Sequence, residues 1–154
     1  MLQTVQQWTE TSAFFTWLRE SPSIWAFPTV FFVHTIGLIF TAGASLVICA
    51  RLLGAAPELP LPPFARYFRL IWIGFWLTAI SGAFMVMSDL EAKLANRLFP
   101  LKMAFVAVAV ILMLLLRRRL ERSSTSASTR AFALASILCW LGAVASGRFL
   151  AYFQ

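Results

Sequence analysis

The chain has 154 residues, of which 60% are hydrophobic and only 12% charged, with a net charge of +7. A water-soluble domain of this size has too little interior to hide that much apolar surface. The positive charge does not point to nucleic acid, because Arg117, Arg118, Arg119, Arg122 and Arg130 crowd one short connection beside an apolar run, as topology signals do.

Apolar runs of roughly 18 residues or more mean transmembrane helices, and here they recur along the whole chain. The expectation is all-α: one integral membrane domain over residues 1–154, built as an antiparallel four-helix bundle with an N-terminal interfacial helix. No cleavable signal peptide is expected, since the first twenty residues lack a basic start and a continuous apolar run.

Residues 4–20 read as one amphipathic helix. Val5, Trp8, Phe15 and Leu18 recur at helical spacing, with Gln6, Gln7, Glu10 and Glu20 elsewhere, a pattern suited to a membrane surface or a bundle mouth. Ser21-Pro22 then reads as an N-cap and first helical position. A first span follows over about 23–50, with a kink expected at Pro28. Residues 51–66 carry a Gly-Ala-Ala-Pro turn and a proline cluster, and form an irregular loop. The second span covers about 70–88. Ser88-Asp89-Leu90-Glu91 has capping-box spacing and should start a short helix, with Leu90, Leu94 and Leu98 as its apolar stripe. The third span covers about 98–116, Ser123 to Thr129 form a polar linker, and the fourth span covers about 131–153. Cys49 and Cys139 form no C-x-x-C pair, which excludes covalent haem attachment and zinc-ribbon chemistry; both read as small buried side chains.

The loops predict orientation. Arg51, Arg66, Arg69 and the later arginine cluster share one side, while Arg19, Lys93 and Arg97 lie on the other. The positive-inside rule then places both termini outside, in the periplasm of a bacterial inner membrane. In that frame the membrane-embedded ionisable groups gather in the outer half. His34, the sole histidine, lies roughly 15 Å along the first span from its outer end. Lys102 opens the third span, Arg148 lies near the end of the fourth, and Met85, Met87 and Ser88 end the second.

An ionisable residue inside a span is by default a functional-site hypothesis. His34 reads either as an axial ligand or proton-handling group, or as a neutral imidazole bonded to another helix. Lys102 and Arg148 read either as partners of an anionic group or as snorkelling side chains. His34, Gly37, Thr41 and Ser45 share one helical face, as do Gly74, Thr78, Ser81, Gly82 and Met85. Such faces serve close helix contact or leave room for a flat cofactor beside Gly37. Of metals, haem iron suits an imidazole in apolar surroundings best. A lone histidine supplies one axial bond, leaving the sixth position empty or filled by Met85, Met87, Met103, Lys102 or a group from another subunit. Copper suits histidine and methionine too, but no Met-x-x-Met or His-x-His spacing occurs.

The stretches Val33-His34-Thr35-Ile36-Gly37-Leu38, Arg51-Leu52-Leu53-Gly54, Leu101-Lys102-Met103 and Gly147-Arg148-Phe149-Leu150-Ala151-Tyr152 resemble an uncharacterised family of small bacterial four-helix membrane proteins. More distantly, a histidine in span one with glycine three residues on, and a lysine opening span three, is similar to the copper-resistance protein D and HemJ-type protoporphyrinogen oxidase group. That resemblance implies haem b binding and activity at His34 and Lys102. The expectation is a membrane haem b-binding redox protein or redox-complex subunit, with His34 as metal ligand and Lys102, Arg148, Met85 and Gly37 around the cofactor. It would exchange electrons with a membrane or periplasmic partner or with quinol, alone, as a homo-oligomer or in a larger complex. The alternatives are a non-catalytic subunit of a membrane complex and a copper or small-solute permease. Whether the protein is an enzyme is not legible in the sequence.

Overall fold

Apolar composition sets the long elements. The computed structural model describes residues 2–122, 126–150 and 152, and among these its regular elements are all helices, with no strand. Helix α1 covers Leu2–Thr11 and α2 Ala13–Glu20. The four long apolar helices are α3 (Phe27–Leu53), α4 (Tyr67–Met87), α6 (Leu98–Glu121) and α7 (Ala127–Phe149), with mean hydropathy from 1.5 to 2.5. The short α5 covers Leu90–Ala95. Even α4, with 21 residues, rises about 32 Å, enough to cross a hydrocarbon core. Four such helices make a multi-pass membrane protein.

Several boundaries depart from the sequence expectation. The expected helix over 4–20 is broken at Ser12, whose backbone is extended. Here Thr11 turns its hydroxyl back onto the Gln7 carbonyl, 2.8 Å away, the local competition that makes Ser and Thr poor helix interiors. Trp8 is exposed, whereas Phe15 and Leu18 are buried; the side chains of Val5 and Gln6 lie outside the described residues. Ser21-Pro22 does not open a helix, because α3 starts only at Phe27. Pro28 therefore falls in the first turn, where a missing N–H breaks no bond, and produces no kink of the kind expected. The irregularity sits further on, as a π turn over Ile39–Gly43. The second span starts earlier than expected and the third runs on through Arg117–Arg119. The fourth begins at Ala127 and its helix ends at Phe149; Phe153 lies outside the described residues. Helix α5 forms where expected, but the Ser88 hydroxyl does not cap it and donates instead to the Phe84 carbonyl, 2.8 Å away.

Short connections fold the spans into a bundle. Gly54 ends α3 with φ 112°, and Arg51 ties down the proline loop through the carbonyls of Pro57 and Leu59. Ser126 caps α7. Helix α3 packs along α4, α6 along α7, and Ala44–Leu53 of α3 against α7. The apolar core fills the half of the bundle near the arginines, with Ile48, Cys49, Leu52, Phe68, Ile71, Met113, Leu116 and Leu120. At the end carrying the termini, α2 closes the bundle. Phe15 and Leu18 pack with Ala26, Val30 and Met87, Phe14 and Phe15 meet the Phe84 ring, and Arg19 donates to the Ser88 carbonyl. Phe32, Ile80, Ile111 and Leu138 stand exposed on the sides, as lipid-facing residues do.

Candidate ligand site around His34

The site is built on a place where two helix backbones nearly touch. A Cβ on Gly37 would collide with the Thr78 hydroxyl and lie 2.7 Å from the Thr78 nitrogen and 2.9 Å from the Gly74 carbonyl. A Cβ on Gly74 would lie 2.7 Å from the Gly37 carbonyl in return. The contact is reciprocal, glycine on glycine, which lets backbones approach in lipid as only small residues allow. Thr41 donates to the Gly37 carbonyl at 2.9 Å and Ser45 to the Thr41 carbonyl at 2.6 Å, so their hydroxyls are satisfied within α3. The Thr78 hydroxyl at the crossing is buried without a partner among the described residues.

One turn from this crossing, toward the termini, His34 is 7% exposed. Its Nδ1 lies 3.1 Å from the Thr78 carbonyl and 3.1 Å from the Ser81 hydroxyl. A carbonyl only accepts, so Nδ1 carries the proton. Ser81 spends its own proton on the Leu77 carbonyl, 2.5 Å away, and its oxygen accepts from Nδ1 as well. Gly82 makes room for the ring, since a Cβ there would sit 3.2 Å from the His34 Cε1. The neutral imidazole therefore holds its lone pair on Nε2, which has no hydrogen-bond partner among the described residues. A histidine whose one nitrogen donates to a carbonyl while the other stays free is oriented as metal-binding histidines are.

Lys102 comes from α6. Its side chain runs across Gly147 of α7, where a Cβ would stand 3.3 Å from Nζ. It is half-buried and makes no ion pair or hydrogen bond among the described residues.

The other sequence candidates lie elsewhere. Arg148 is exposed, with its guanidinium 5.3 Å over the Tyr152 ring. Met85 is half-buried, Met103 is 42% exposed, and Met87 packs under α2. Gly37 is occupied by helix contact: Thr78 and Gly74 fill the space beside it. Ser81 and Gly82, read from sequence only as members of a small-residue face, are the residues that orient and admit the imidazole. The signal for them was their spacing along α4. The π turn, a feature frequent near functional sites, had no sequence signal.

No cluster of three or more His, Cys, Asp or Glu able to hold a metal exists among the described residues, and both cysteines are free. Two cavities stand out. One is a dry space of about 20 Å³ bounded by Thr41, Trp72, Met113 and Trp140 among others. The other is an arginine-lined groove of about 590 Å³. Neither is lined by His34. Comparison of the chain with protein-family models, curated proteins and solved structures yields no match.

Proposed function

We propose that the protein is a haem b-binding redox protein, or a subunit of a membrane redox complex, with His34 Nε2 as an axial ligand. The observation that carries this reading is the fixed tautomer: Thr78 and Ser81 hold the proton on Nδ1, and Nε2 is left with a lone pair and no partner. The donor set suits haem iron, for which imidazole is a standard axial ligand. Haem b would supply one-electron transfer. Lys102, a half-buried cation without a counter-ion among the described residues, suits a propionate. Arg148 stands on the outside, where it pairs with an anionic group only beyond the bundle surface. Room for a porphyrin does not lie in either cavity described above, so the reading requires a second chain, of this or another protein, to complete the site and supply the sixth ligand.

The same reading takes the arginine-rich end as cytoplasmic and the termini as periplasmic in a bacterial inner membrane, on the charge asymmetry of the loops. Exposed Trp8 and Trp17 suit α1 and α2 to the outer interface, where electrons would pass to a periplasmic partner or quinol.

A second reading has its own support. Both bonds of Nδ1 cross from α3 to α4, and that alone would justify His34 as a packing residue in a non-catalytic subunit. One measurement separates the two. The protein, purified without chelators from its native membrane with any partner retained, should show a b-type band in the reduced-minus-oxidised spectrum and iron by metal analysis. His34→Ala should abolish both. A folded wild-type preparation with neither band nor iron refutes the haem reading and leaves the packing role.

A further inference from the structure

The arginines at the far end of the bundle are not equivalent. Arg51 is spent on the proline loop, through the carbonyls of Pro57 and Leu59. Arg119 is spent on the start of α7, where it meets the hydroxyls of Ser128 and Thr129 at 2.6 and 3.2 Å and lies 4.6 Å over the Phe132 ring. Arg66 and Arg69 have no hydrogen bond or ion pair among the described residues. They border one groove of about 590 Å³ together with Arg117, Phe68 and Trp72, and the Arg117 guanidinium lies 5.9 Å over the buried Phe68 ring. Arg117 holds one carboxylate, Glu121, at 3.1 Å, so the three guanidiniums keep an excess of positive charge.

A topology signal needs only charge near the span, hydrated and in no fixed arrangement. It does not need three guanidiniums, from the turn before α4, from α4 and from α6, bordering one groove. Planar guanidinium forks match the oxygens of a phosphate. Position along the chain narrows the ligand further. Arg66 precedes the span, and Trp72, six residues on, lies about 9 Å further into it. Guanidiniums at the start of a span with an aromatic ring deeper in it suit an amphiphile, with a phosphate at the water boundary and hydrocarbon below it. Basic pockets between spans take lipid headgroups on these grounds.

The geometry points to a binding site for the phosphate headgroup of an anionic phospholipid, held by Arg66, Arg69 and Arg117 with its first acyl carbons against Trp72. The site is separate from His34 and does not depend on the haem reading.

The test uses the full-length protein in neutral-detergent micelles. Binding of phosphatidylglycerol and of phosphatidylcholine with the same acyl chains is measured by native mass spectrometry and by the shift in unfolding midpoint, with inorganic phosphate as a third ligand. Wild type should prefer phosphatidylglycerol, and Arg66→Gln with Arg69→Gln should weaken that preference about thirtyfold. Arg118→Gln with Arg122→Gln removes the same charge outside the groove and should leave most of the preference intact. Trp72→Ser should weaken the lipid and leave inorganic phosphate unaffected. Equal loss in the two double variants refutes the site in favour of a diffuse surface potential. Equal binding of the two lipids refutes the headgroup assignment, and protection by inorganic phosphate equal to that by lipid refutes the lipid. All substituted arginines are exposed, so far-UV circular dichroism should be unchanged.

Discussion

Gly37→Ala tests the crossing on which the His34 site is built. The added Cβ would stand 2.7 Å from the Thr78 nitrogen and 2.9 Å from the Gly74 carbonyl. Carbon contacts rest at roughly 3.5–4.0 Å, and backbone on the far side cannot rotate away, so α3 and α4 must part by about 1 Å. Overpacking of this kind costs about 1–3 kcal/mol. The 3.1 Å bond from His34 Nδ1 to the Thr78 carbonyl stretches with it and forfeits about 1 kcal/mol more. Replacing glycine within a helix returns up to about 1 kcal/mol, leaving a net loss of about 1–3 kcal/mol. Gly74→Ala meets the Gly37 carbonyl and the Phe40 Cβ, each at 2.7 Å, and should cost as much. The double variant should lose less than the sum, because one separation of the helices relieves both clashes. Gly43→Ala is the control: no atom lies within 4 Å of its Cβ, so it should be neutral or stabilising. Unfolding free energies come from denaturant titration in mixed micelles. If Gly37→Ala and Gly74→Ala both fall within about 0.5 kcal/mol of wild type, the reasoning fails, since overpacked backbone cannot be that cheap.

Gly54→Ala should destabilise by about 1 kcal/mol through backbone strain alone, because φ is 112° and the site is otherwise open; the same titration reads it, and no change would mean that the α3 terminus relaxes. Leu18→Ala removes a side chain that is 1% exposed, where truncation costs roughly 2–5 kcal/mol. Helix α2 docks only at the bundle end, so amide exchange should quicken in α2 and at Val30 and Met87, with the α6–α7 pair unchanged; uniform acceleration along all four spans would refute a locally docked α2.

The four spans were legible because bilayer thickness leaves few alternatives to about twenty apolar residues in a helix. Their ends were less so. Arg117–Arg119 and Glu121 continue α6 by helix propensity after the apolar run, with Leu120 buried in the core among them, and Pro28 reads as a kink only when the start of α3 is set four residues early. The π turn at Ile39–Gly43 packs against α4 and has no composition of its own. The small-residue faces did forecast where α3 and α4 meet. They did not separate helix contact from cofactor room at Gly37; that took the positions of Thr78 and Gly74. Arg148 sits within a turn of Gly147 in sequence, yet Gly147 faces Lys102 and Arg148 faces out, a difference of one helical position that periodicity without the packed neighbour does not fix.

The arrangement of His34 also bears on why histidine stands there. Packing α3 on α4 uses one nitrogen as a donor to Thr78 and Ser81, a task that a serine or threonine hydroxyl could perform with no nitrogen left over. An imidazole adds a second nitrogen, Nε2, that the packing contact leaves unused, and a ligand would occupy it. Lys102 repeats the pattern, as a half-buried cation with no partner among the described residues. Two groups with unused capacity, drawn from α3 and α6, lie in the half of the bundle that lacks the main apolar core. Each alone has a structural explanation; their convergence is the stronger argument for a ligand.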